Sequence, residues 1–183
     1  METPYLVSVL RFDSDTDQHI GREMVRIRQL VGVPSRSDAF PHISLVPTTV
    51  DDRDRTIQRM GAMLANQPSL DVVFSHLGYF SGGVVFLGVT PTQSLIALHR
   101  RLFEASLPDA NAPWIDLYYP GRWVPHCTVA LRILDDSLGM VIREVRTLIA
   151  TPLLAQCMAV ELLEVHEDRV QVLKRIELQL RES

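Results

Sequence analysis

Apolar positions along this chain alternate between the two-residue period of strands and the 3.6-residue period of helices, outlining a repeated plan. Residues 5–12 (YLVSVLRF) are β-branched and aromatic-rich and predict a strand. Asp13, Ser14 and Asp15 then supply N-cap chemistry. Ile20, Met24, Ile27, Leu30 and Val31 recur at helical spacing until Gly32 and Pro34 stop the run. Residues 39–46 predict a second strand, and Asp51 and Asp52 cap a predicted helix to about Asn66 with Ile57, Met60 and Leu64 on one face. Residues 70–80 and 84–89 read as strands joined by Ser81-Gly82-Gly83, a hairpin signal.

The second half follows the same order. Pro91 opens a helix carrying Leu95, Leu98, Leu102 and Phe103. A longer loop, residues 107–122, holds three prolines and the aromatics Trp114, Tyr118 and Tyr119. Residues 123–133 predict a strand, and Asp135, Asp136 and Ser137 cap a helix to about Ala150. Residues 156–166 and 169–178 form a final hairpin turning at Glu167 and Asp168. This internal repeat predicts an α+β fold. The expectation is a single bilobal domain over 1–183, with lobes of about 1–80 and 81–183 free to exchange terminal strands. Each pseudo-twofold-related lobe is β-α-β-α-β, with antiparallel-rich sheets around a central cleft.

Composition narrows the class. With 46% hydrophobic and 22% charged residues, the chain has the balance of a soluble globular protein. No run of about 18 apolar residues occurs, and Met1-Glu2-Thr3-Pro4 lacks a basic segment ahead of an apolar stretch, so a cytoplasmic location is expected. Cys127 and Cys157 are too few for a disulfide framework and lie in apolar runs that predict buried thiols. A net charge of −4 disfavours a broad nucleic-acid-binding surface but leaves room for a nucleotide or an RNA end. Arg122, Arg132, Lys174 and Arg175 are candidate cations for such a ligand.

The candidate chemistry sits in two strings, Pro41-His42-Ile43-Ser44-Leu45 and Pro125-His126-Cys127-Thr128-Val129. On a strand, residues two apart share a face, so each string presents an imidazole beside a hydroxyl. The frame of proline before and apolar residues after is absent around His19, His76, His99 and His166. Two imidazoles and two hydroxyls around one centre suit acid–base work on a phosphate ester. His42 and His126 are the candidate acid and base, and their near-symmetric settings leave the two roles open. Ser44 and Thr128 can donate to the phosphate oxygens, with Arg132 as an adjacent cation. Tyr118, Tyr119 and Trp123, with Trp114, are candidates for stacking on a base or sugar, the alternative being that they pack the loop onto the body. Phe12 and Phe80 read as core.

The paired motifs in a bilobal repeat resemble the 2H phosphoesterase superfamily, which includes the bacterial 2′-5′ RNA ligase and cyclic phosphodiesterase proteins. FPHISLVP and WVPHCTVALR carry the resemblance, supported by VVFLGVTPTQSLIALHRRL and VQVLKRIEL. Ser44 stands where many members have threonine, and the hydroxyl is kept. The resemblance implies a two-lobed, metal-independent phosphodiesterase for 2′,3′-cyclic phosphate or 2′-5′ linked nucleotide or RNA ends. It implies no cofactor, no metal, no membrane and no obligate protein partner. A nucleotide-binding module without turnover and an RNA end ligase are the alternative readings.

Overall fold

A computed structural model of the chain describes residues 4–32, 40–49, 53–106, 112, 114–167 and 169–180. The strands are β1 (Tyr5–Phe12), β2 (Ile43–Thr49), β3 (Leu70–Phe80), β4 (Val84–Val89), β5 (His126–Ala130), β6 (Leu153–Val165) and β7 (Val170–Glu177). The helices are α1 (Ser14–Val31), α2 (Arg53–Leu64), α3 (Gln93–Ser106) and α4 (Asp135–Leu148), with a short 3-10 turn at Ile115–Tyr118. The expected α+β class is the one observed.

Local chemistry accounts for the helix ends. The Asp13 carboxylate accepts from the Thr16 backbone N–H at 2.9 Å and from Gln156 N–H of β6 at 3.0 Å, so one side chain starts α1 and ties it to the sheet. Gly32 closes α1 at φ 66°, the left-handed conformation that glycine adopts without a Cβ clash. Ile20, Met24 and Ile27 are buried as their spacing requires, whereas Leu30, in the last turn, is exposed. In α4 the cap position is Leu134; Asp135 and Asp136 lie inside the first turn, beside the positive end of the helix dipole. The expected caps Asp51 and Asp52, the stop at Pro34 and the turn residue Asp168 fall outside the described residues.

All strands join one antiparallel sheet in the order β2-β1-β6-β3-β4-β5, with β7 also on β6. β6 is the spine. Its residues 157–165 pair with β1 on one edge. Its other edge is divided between β3, opposite 153–157, and β7, opposite 159–165. Strands therefore cross between the sequence halves: β6 joins β1, and β3 joins β4. Helices cross too, α1 packing near β5 and α4 while α3 packs near β2. The two strands at the ends of the order, β2 and β5, approach each other without pairing. A curved sheet thus brings its two edges together, and those edges are the motif strands.

The main core fills the helix-covered face with Leu6, Leu10, Ile27, Phe74, Leu87 and Leu98 among others. A smaller cluster of Val7, Val9 and Leu163 lies with Tyr5, Phe40, Val165 and Val170 on the opposite face, beside the motif strands. The β3–β4 turn is held against the segment after β5, with Ile133 N–H donating to the Gly83 carbonyl at 3.0 Å. Gly83 has φ 79°, and a Cβ there would stand 2.4 Å from the Ile133 carbonyl oxygen. Gly83→Ala is therefore expected to destabilise the fold by about 1–3 kcal/mol, read from the denaturant midpoint; an unchanged midpoint would show that the turn relaxes freely.

Candidate active site

The two motifs share one burial pattern. Ile43, Leu45, Cys127 and Val129 are fully buried in the core, and His42, Ser44, His126 and Thr128 alternate with them on the half-buried opposite face. His126 begins β5, and His42 lies one residue ahead of β2. His42, Ser44 and Thr128 line a cleft of about 250 Å³; His126 is not among its lining residues and stands two residues before Thr128 on the same strand face.

The rings are held alike. His42 Nδ1 lies 2.8 Å from the Phe40 carbonyl oxygen, and His126 Nδ1 lies 2.7 Å from the Val124 carbonyl oxygen. A carbonyl only accepts, so each Nδ1 carries the proton and donates it. Each Nε2 is then a lone pair in the neutral ring, available to take a proton or, once charged, to give one. The same bond, made to the carbonyl two residues earlier, recurs in both halves.

The surroundings break the symmetry. Burial pushes the His42 imidazole down to about 4; the Phe40 carbonyl opposes this, Arg11 and His126 add to it, and Glu161 counters. The Arg11 guanidinium lies 3.9 Å over the Phe40 ring, whose centroid is 5.3 Å from that of His42. Arg11 in turn pairs with Asp17 at 2.9 Å and Glu161 at 3.8 Å. His126 is lowered below its ordinary value by burial, partly offset by the Val124 carbonyl. Its ring packs among Phe80 at 5.0 Å and Phe86 at 4.9 Å. Phe80, expected in the core, is instead partly exposed against His126.

Two links cross from one motif to the other. Trp123 Nε1–H donates to the Ser44 carbonyl oxygen at 3.1 Å. The Cys127 thiol, pushed up to about 12 by burial, meets the His42 backbone. Behind Trp123 the His99 ring stacks in parallel at 4.0 Å and 1°, fully buried, with burial pushing it down to about 4 against the opposing Tyr118 backbone. The Tyr118 hydroxyl hydrogen-bonds with Ser44; burial raises its pKa and that bond partly offsets the rise.

The structure sorts the remaining candidates. Tyr118 and Trp114 line the cleft. Trp123 is buried against His99 and supports the site from below, so it offers no face for stacking. Tyr119 packs on Phe103 of α3 at 4.7 Å, and neither it nor Arg132 is among the cleft-lining residues. Arg132 lies exposed just after β5 at φ 58°. Arg175 is engaged by Glu161 at 2.8 Å and Glu177 at 2.6 Å. Arg28 of α1 lines the cleft and had no motif to mark it; Tyr5, Val7, Leu163 and Val165 give the cleft an apolar floor.

These features define an α+β protein whose one antiparallel sheet carries a histidine motif on each of its two end strands. A family model described as the 2′-5′ RNA ligase superfamily matches residues 16–169, and the chain belongs to that superfamily, the 2H phosphoesterases. Solved structures similar to it include one described as a phosphoesterase, 18% identical, covering 97% of this chain and 99% of its own, with a TM-score of 0.58. Escherichia coli LigT complexed with 3′-AMP is 16% identical over the same shares, with a TM-score of 0.57. The protein TT0787 of Thermus thermophilus is 16% identical over 97% of this chain and all of its own, with a TM-score of 0.66. At these identities the likeness establishes the fold. Among curated proteins no match is found. No helix among the described residues is long and apolar enough to cross a membrane.

Depressed histidines have a stability consequence. A ring whose folded pKa lies below its unfolded value of about 6.5 stabilises the fold above that value, and the contribution is lost as pH falls toward the folded pKa. With His42 and His99 both at about 4, the unfolding midpoint is expected to fall between pH 6.5 and 4, less steeply in His42→Asn. Identical slopes for wild type and variant would contradict the depression at His42.

Proposed function

We propose that the chain is a metal-independent phosphodiesterase acting on 2′,3′-cyclic phosphates or 2′-5′ linked nucleotide or RNA ends through two-histidine acid–base catalysis. The observation that carries this reading is the matched pair of Nδ1–carbonyl hydrogen bonds, which leaves two Nε2 atoms free on facing edge strands. Membership of a phosphoesterase superfamily supports it, as does a structural relative, LigT, that is described in complex with 3′-AMP.

The asymmetry favours roles. His42 is held neutral more strongly and takes the proton from an attacking water. The water oxygen bonds to phosphorus as one ester P–O bond breaks. His126, charged when an anionic phosphate is bound, delivers its proton to the departing ribose oxygen. Negative charge gathers on the non-bridging oxygens, where the Ser44 and Thr128 hydroxyls donate. Arg28 adds a positive charge along the cleft, and Trp114 and Tyr118 offer a wall for sugar or base.

The test is an assay of nucleoside 2′,3′-cyclic monophosphates and 2′-5′ dinucleotides. His42→Ala and His126→Ala should each lose about 10²–10⁴-fold in kcat with the fold intact, and Ser44→Ala and Thr128→Ala should lose less. Near-normal rates in either histidine variant would end the assignment, and tight binding without turnover would favour a binding module.

The pH profile carries a sign. The base must be deprotonated and the acid protonated, so kcat/KM should rise through the His42 pKa, fall through the His126 pKa, and peak below about 6.5 because both free-enzyme values are lowered. A chelator should leave the rate unchanged. A strict metal requirement, or a rate climbing steadily to high pH, would contradict the mechanism.

A further inference from the structure

The geometry points to a second phosphate-binding position beside His126, built on His76 over Gly88 and reading a phosphate that the substrate carries in addition to the reacting one. The inference rests on the phosphodiesterase reading and deepens it.

Register places the residues. Gly88 of β4 pairs with His126 of β5 on one side and with His76 of β3 on the other. Cross-strand partners point to the same face of a sheet, so His76 and His126 share the face that carries the motif, with a glycine between them. The missing side chain is filled by His76 itself. A Cβ on Gly88 would stand 2.0 Å from His76 Nε2, so the imidazole lies across β4 toward His126. Further along the same face the Phe86 ring covers Gly78, where a Cβ would stand 2.2 Å from it, and Phe80 packs on Phe86 at 4.3 Å. The face is open: His76 is exposed, and Phe80 is 36% exposed.

A pair of hydroxyls reaches the Nδ1 edge of the His76 ring. Thr90, just past the end of β4, donates its hydroxyl to Ser75 Oγ at 2.8 Å. Ser75 Oγ lies 3.2 Å from His76 Nδ1. A serine hydroxyl can donate to Nδ1 while it accepts from Thr90, and in that arrangement the ring proton resides on Nε2. His42 and His126 differ, because their Nδ1 atoms face carbonyls, which only accept. With its Nδ1 edge facing a hydroxyl and its Nε2 lying over Gly88 toward His126, His76 can donate an Nε2–H to an acceptor next to the reacting phosphate. A bond to a charged oxygen is about twice as strong as a neutral one, which favours a phosphate oxygen as the occupant. Such a phosphate is either the terminal 5′-phosphate of a nucleotide or the 5′-linkage of an RNA end.

The experiment compares kcat/KM for three substrates: a nucleoside 2′,3′-cyclic phosphate, its 5′-phosphorylated form, and a dinucleotide ending in the same cyclic phosphate. Both substrates with the extra phosphate should exceed the first by about tenfold, the order of one hydrogen bond to a charged group. His76→Ala should bring both ratios close to one with an unchanged melting temperature, and His76→Gln, which keeps an N–H donor, should restore part of the gain. A gain for only one of the two, lost in His76→Ala, supports the inference and assigns the position to that phosphate source; a dinucleotide gain that survives His76→Ala shows that sugar or base rather than phosphate is read and overturns it. So do equal rates on all three substrates, or a wild-type preference that survives His76→Ala. Turnover without preference leaves the phosphodiesterase reading standing; no turnover of any substrate overturns both.

Discussion

The hydrogen bond from Trp123 Nε1 to the Ser44 carbonyl spans the gap between strands that the backbone ladder leaves unpaired. β2 and β5 end the sheet order, and sheet pairing alone does not hold their separation or register. Cross-edge contacts do: the indole N–H on Ser44, and the Cys127 thiol against the His42 backbone. Both bind a residue of one motif to a residue of the other. His99 stacks flat on the far side of the same indole, so α3 stiffens the junction from within the core. The proposed mechanism depends on such ties, because its acid and base must hold station around one phosphorus atom.

Having joined the edges, the fold treats the two rings alike and then differently. The i−2 carbonyl fixes the tautomer in both, a consequence of local backbone geometry repeated with the motif. Their neighbours come from unrelated residues. Phe40 backed by Arg11 flanks His42, and Phe80 with Phe86 flanks His126. A duplicated frame thus carries two unlike proton affinities, the condition for one ring to act as base while the other acts as acid.

Much of this was legible in the chain. Alternation around His42 and His126 put imidazole and hydroxyl on one face, and the repeat located both motifs at matching places in each half. Glycines at 82 and 83 marked the hairpin turn. Other features depend on partners distant in sequence. His99 lacks the motif frame, and its stacking on Trp123 follows from how α3 meets β5. Trp123 read as a stacking candidate because its burial depends on the crossing of the halves. Phe80 looked like core because strand patterning cannot say which face of β3 is covered by helices. Arg132 reads as an adjacent cation because it follows Thr128 closely in sequence, yet it lies exposed after β5 and is not among the cleft-lining residues. Arg28 and Phe40 carry no motif.

The central claim is that His42 and His126 serve one cleft as neutral rings protonated on Nδ1. Imidazole 15N–1H correlation spectra of the labelled protein report tautomer and charge for each ring. Near neutral pH both rings should show the neutral Nδ1–H pattern, and a nucleoside 3′-monophosphate should shift both Nε2 resonances together in one titration. An Nε2–H tautomer at either ring, or a ligand response confined to one of them, would contradict the shared two-histidine site.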